Sequence, residues 1–303
     1  MVSGLWIPIV LFAAAAQTGR NAAQRSLTST VGTMPATLVR FLFGLPLALL
    51  FLGLIYLVPA TTPSLPDFTT KYFVWIAIGA AFQIAATAAL LLAMETRNFA
   101  VAVTLSKTEV LQIALFSTIF LAETPTALDL LAICLASAGL ILMSIPAGSQ
   151  RFQLSAWASK SAMYGLLCGF CFAVAIIGFR GAAVEIADTP ALVSGAWGVT
   201  IAQTLQSVFL GGWLLYKEPA KVTTIFKSWR VSVIAGSLGA LASLAWFTAY
   251  ALQDAASVRT VGMVEVLFSY FISRKVFRES IRFSETSGIL LVVLGLVLIC
   301  LTT

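Results

Sequence analysis

The chain lacks histidine altogether, has only four cysteines, and is poor in charge: Asp, Glu, Lys and Arg make up 10% of its 303 residues. A soluble domain carries ~25% charged residues because its surface faces water. So little charge excludes an ordinary soluble fold. Without histidine, the acid–base set of an enzyme is hard to assemble. A zinc site needs four ligands, or three plus water, and the cysteines do not supply them. Cys168 and Cys171 form a C-x-x-C pair, but it lies on an apolar helix with no second pair. Packing is the expected role of all four, and no metal or cofactor is expected. Walker loops, nucleophile elbows, H-E-x-x-H and dinucleotide fingerprints are also missing, which argues against ATP-driven transport within this chain.

Apolar residues fill the space left by charge. They make up 60% of the chain, and the mean hydropathy is +0.99. A transmembrane helix needs ~20 mostly apolar residues. Ten such stretches can be read, at approximately 5–24, 36–58, 72–94, 99–121, 127–145, 158–179, 190–215, 229–252, 257–276 and 284–301. The expected fold is an all-α integral membrane protein of ten transmembrane helices. The first stretch has no basic leader and reads as a retained span, not a cleaved signal. The apolar runs are too long for a β-barrel. The connections are too short for a soluble domain, so function must sit inside the bundle.

The net charge is +6, but it does not point to nucleic acid, because the cations cluster at span ends. Twelve of the eighteen Lys and Arg follow odd-numbered spans, from Arg25 to Arg282. Only Lys71, Arg180 and Arg259 follow even ones, and Arg20, Arg40 and Lys107 fall within spans. By the positive-inside rule the loops after odd spans are cytoplasmic and both termini face outward.

The two halves repeat. Shifting residues 93–142 by 156 positions, without a gap, aligns Glu109 with Glu265, Glu123 with Glu279 and Gly139 with Gly295. Apolar matches weigh little in such a chain, but Glu is scarce. Arg20-Asn21-Ala22-Ala23 is echoed more weakly by Arg180-Gly181-Ala182-Ala183. The expected units are 1–147 and 148–303, each of five spans. An odd number of spans turns the second copy over. Inverted repeats of this kind place a substrate site near the midplane between them.

On these features the chain resembles the ten-helix EamA-type permeases of the drug/metabolite transporter superfamily. The most specific part is Glu123-Thr124-Pro125 followed by Gly139, and again Glu279-Ser280 followed by Gly288 and Gly295. Arg40 early in the second span also fits the family. A departure is Val110 after Glu109, where many relatives have Pro. The resemblance implies alternating access and a central cavity lined by spans 1, 3, 4, 6, 8 and 9. It also implies cytoplasmic termini, against the charge count, and a bacterial inner-membrane location. It does not fix the substrate.

Ions in hydrocarbon cost at least ~2.5–3.5 kcal/mol and mark functional sites by default. Gln17, Arg20, Asn21 and Gln24 fall on one face of span 1, lining either a wet cavity or a helix–helix seam. Lys107 and Glu109 sit two residues apart, so on a continuous helix they point apart. Each then needs a partner from another span, with Arg20, Arg40 and Glu265 as candidates. A buried carboxyl favours its neutral form, which makes Glu109 and Glu265 candidates for proton coupling. Glu123 and Glu279 fall at span ends, where capping or loop structure is expected. Gln83 shares a face with Thr87. Trp246 and Tyr250 share a face with Ser243 and Gln253, suited to a flat or cationic ligand.

The expected function is secondary transport of a small organic solute. The expected substrate-binding residues are Gln17, Arg20, Asn21, Arg40, Gln83, Lys107, Glu109, Trp246, Tyr250 and Glu265. Three cations against two carboxylates favour a carboxylate-bearing or zwitterionic solute such as an amino acid. A proton-coupled exporter of lipophilic cations is the alternative. An intramembrane enzyme or a scaffold fits less well. The expected partners are the solute and the bilayer, with the chain a monomer or homodimer.

Overall fold

A computed structural model describes residues 4–58, 63–95, 105–143, 160–268 and 283–302, and the described elements are helices. In chain order they are α1 (Trp6–Val31), α2 (Thr33–Leu42), α3 (Leu45–Leu57), α4 (Thr70–Glu95), α5 (Glu109–Leu121) and α6 (Ala127–Met143). The second half holds α7 (Lys160–Glu185), α8 (Ala191–Lys217), α9 (Pro219–Lys227), α10 (Trp229–Leu252), α11 (Ala255–Gly262) and α12 (Phe283–Thr302). Each of the ten stretches read from sequence holds helix. Four helical segments, at 33–57, 70–93, 162–185 and 229–252, are long and apolar enough to cross a membrane by length and composition.

Three departures from the sequence reading have local causes. The second stretch is two helices, because Pro46 in the first turn of α3 has no N–H to continue the ladder from α2. The junction packs tightly: a Cβ on Gly44 would lie 2.9 Å from the Gly236 carbonyl oxygen of α10. The basic stretch after span 7 was read as a loop, but Pro219–Lys227 is a short helix that Pro219 starts. The ninth span begins earlier than read. Asp254 accepts from the Ser257 amide at 2.8 Å and starts α11 at Ala255. Glu279 lies outside the described residues, as does part of the fourth and ninth spans.

The bundle is turned inside out relative to a soluble protein. Leu49, Leu50, Ile119, Phe120, Val208 and Phe209 are exposed, while Arg20, Arg40, Glu109, Gln203, Gln206, Arg259 and Glu265 are buried. Lipid does not penalise the first set, and the protein interior satisfies the second. Helix α4 packs on α7, and α1 packs on α10. These two contacts exchange under the relation that pairs span 1 with 6 and span 3 with 8. Helix α6 packs on α12, its own counterpart. There the backbones nearly touch: a Cβ on Gly139 would meet the Gly288 carbonyl oxygen at 2.5 Å. Small residues permit such an approach where no hydrophobic effect drives helices together.

Candidate functional site

Between the repeats lies a cavity of about 560 Å³, within the usual size of a small-molecule site. Its walls come from spans 1, 3, 4, 6, 8 and 9, with span 2 added through Arg40. Gln17, Arg20 and Asn21 reach it from α1, Gln83 from α4, Trp246 and Tyr250 from α10, and Lys107, Glu109 and Glu265 from spans 4 and 9. Thus all ten residues selected from sequence line one chamber. Exposed Ala22 and Arg25 also line it, which sets its mouth toward the C-terminal end of α1.

Spans 4 and 9 are both interrupted beside their carboxylates. The Val110 amide donates three residues back to the Lys107 carbonyl, and the Val266 amide donates three residues back to the Met263 carbonyl. The two tight turns are 156 positions apart, in register with the repeat. The break at Lys107 and Thr108 voids the argument that Lys107 and Glu109 point apart, since that argument needs a continuous helix. Both side chains line the chamber.

The ion pairs cross between repeats. Lys107 of the first pairs with Glu265 of the second, and Arg259 of the second pairs with Glu109 of the first. The partner of Glu109 is therefore neither Arg20 nor Arg40, the two candidates read from sequence. Reasoning from sequence missed Arg259 because it was counted as a loop cation. All eight residues of α11 are buried, so this helix begins inside the protein and carries Arg259 inward. Arg180, also counted as a loop cation, lies within α7.

The first pair extends into a network. Gln17 donates to Glu265 and accepts from the Trp246 indole N–H at 3.0 Å. Trp246 also carries the Arg259 guanidinium over its ring, 4.7 Å from the centroid, and Tyr250 stacks near it at 6.1 Å. The aromatic face read as suited to a cation is thus engaged by Arg259. Gln253 has left the helix and is extended. Gln83 is tied to α8 by the Gln206 amide at 2.8 Å.

Arg20 and Arg40 are held differently. Arg20 donates to Asn21, at 2.7 Å from one terminal nitrogen, and Arg40 donates to Thr87 at 2.9 Å. Both partners are neutral. Arg20 Nη1 and Arg40 Nε are buried and find no partner among the described residues.

At the end away from the mouth, Phe179 and Phe247 pack with ring centroids 4.3 Å apart. Arg180 pairs there with Glu123 at 2.7 Å and donates to the Tyr250 carbonyl. Glu123 is therefore more than the helix-end residue it was read as. Its backbone amide does close α5 through Ser117, while its carboxylate joins the first repeat to the second.

A charged chamber between two inverted five-span repeats is an arrangement found in many membrane transporters. The chain belongs to the EamA-like transporter family, whose model matches residues 4–145 and 159–301. No curated protein matches the sequence. Among solved structures it is similar to one described only as "Crystal structure of protein". The likeness covers 98% of this chain and 97% of that one, at 17% identity and a TM-score of 0.69. It is a likeness of fold.

Proposed function

We propose that this protein moves a small organic solute bearing a carboxylate or comparable anionic group across the membrane, by alternating exposure of the chamber. No covalent step is part of this reading. One observation carries it: both chamber carboxylates are already in ion pairs, whereas Arg20 and Arg40 have only neutral hydrogen-bond partners among the described residues, and the carboxylate that attracts Arg20, Glu265, is already paired with Lys107. The balance favours an incoming anion. It disfavours the lipophilic-cation alternative, which needs a free carboxylate and an open aromatic face. Proton coupling would act through Glu109 or Glu265, by protonation that releases Arg259 or Lys107.

Orientation belongs to the same reading. Lys221 lies beside Gly32, where a Cβ would be 3.8 Å from its Nζ, so the basic α9 region shares the mouth end of α1. Exposed Arg25, Lys217, Lys227 and Arg230 lie toward that end too. Of the three cations counted on the opposite side, only Lys71 is exposed, since Arg180 and Arg259 are inside the bundle. The positive-inside rule then puts the mouth in the cytoplasm.

The test is uptake by proteoliposomes of labelled carboxylate-bearing, zwitterionic and cationic solutes, with and without a pH gradient. Saturable movement of an anionic or zwitterionic solute supports the reading. Movement of cations alone would overturn it.

A further inference from the structure

Inside its mouth, the chamber's unbalanced charge is two units, not one. Among the described residues, exposed Arg25 stands at its mouth, and deeper in lie four cations and two carboxylates: Arg20, Arg40, Lys107 and Arg259 against Glu109 and Glu265. The two crossed pairs cancel, and what remains is Arg20 with Arg40. These two are close neighbours. A Cβ on Gly239 of α10 would lie 3.2 Å from Arg40 Cγ and 3.4 Å from Arg20 Cδ, so both stems pass over the same glycine. Both residues are buried, at 2% and 3% exposure. Like charges this close and this dry repel strongly, and neutral Asn21 and Thr87 orient them without cancelling either.

We infer that the solute taken by this chamber is a dianion, with its two negative charges set close together against Arg20 and Arg40. A zwitterion leaves both excess charges in place, and a monoanion leaves one. A dianion neutralises the excess charge inside the mouth and offers acceptors to Arg20 Nη1 and Arg40 Nε, which have no partner among the described residues. Planar guanidinium groups suit both carboxylate and phosphate oxygens, so a dicarboxylate and a phosphate monoester share the required chemistry. Gly239 matters because any larger residue there crowds both stems. The inference rests on the transport reading and narrows it.

The experiment uses the full chain in lipid nanodiscs, with affinity read by calorimetry at pH 7.5. The probes are succinate, glycerol 3-phosphate, lactate, alanine and tetraphenylphosphonium. Expected is binding of one or both dianions at least tenfold tighter than lactate or alanine, a ranking that needs no variant to fold. Repeating it at pH 5.5 separates the sources: a phosphate monoester loses its second charge near pH ~6 and should weaken, whereas a dicarboxylate should hold more of its affinity. Arg20→Gln and Arg40→Gln should each lower dianion affinity at least tenfold, with Arg40→Lys losing less. Lactate or alanine binding as tightly as the dianions, or dianion affinity indifferent to both Gln variants, overturns the dianion inference and leaves the anion-transport reading standing. Binding of tetraphenylphosphonium alone, or of no probe, overturns both.

Discussion

Glu109 and Glu265 occupy equivalent positions in the two repeats, each beside a tight turn, yet they are held differently. Glu109 meets a guanidinium from a helix that starts inside the protein, and the two side chains are 3% and 7% exposed. Glu265 meets the flexible ammonium of Lys107, with the two at 10% and 14%, and takes a second bond from Gln17. One pair is a sealed joint. The other is wetter and spread over a network of neutral groups. Repetition in sequence has therefore not produced repetition in chemistry: the carboxylates were kept and their counter-charges placed differently. The sealed pair is suited to holding the repeats together, and the looser one to changing during a transport cycle.

Removing one partner from each pair breaks this comparison most directly. Glu109→Gln leaves Arg259 buried and unpaired, and should cost about 3–5 kcal/mol, the range for breaking a buried pair. Thermal or denaturant unfolding in detergent measures it. Lys107→Gln should cost less, about 1–2 kcal/mol, between the buried and exposed limits, because Glu265 is less deeply buried and keeps its bond from Gln17. Equal losses would mean that the two pairs do the same job. A charge exchange sharpens the point: Lys107→Glu with Glu265→Lys should recover part of what either change loses alone, with a coupling of about 0.5–3 kcal/mol in a double-mutant cycle. The smallest effect is expected at Trp246, which touches both pairs. Trp246→Phe keeps a ring under Arg259 and removes the bond to Gln17, for about 1 kcal/mol, along with part of the indole's packing on Gly262. A larger loss would show that the two pairs are coupled through this side chain.

Much of the chamber was legible because polar residues are costly in hydrocarbon and must face inward. The spacing of Gln17, Arg20 and Asn21 pointed to one wall without any structure. The pairing was not legible. Helical rotation separates Lys107 from Glu109 only while the helix is continuous, and Ser106-Lys107-Thr108 holds neither Gly nor Pro to warn of a break. The equivalent turn in the second repeat does have a signal, Gly262, just before Met263. Arg259 was missed because a cation near a span end usually marks the membrane surface. The signal that corrects this is the cap, Asp254 with Ser257, which starts the helix two residues earlier than hydropathy does. Arg40 was selected on family likeness, and its excess positive charge became visible only once the other cations had found their carboxylates.

The crossed pairs also set a schedule for biogenesis. Glu109 waits for a partner 150 residues further along the chain. At ~5–20 residues per second of synthesis that is a delay of roughly 8–30 s. During that time the first half presents a carboxylate and an ammonium to the membrane with neither counter-charge yet made. The insertion machinery or the unfinished bundle must shelter them, and release should await the second half. Each repeat is thus an incomplete product alone, and two separately encoded halves would have to be produced together to yield either one in folded form.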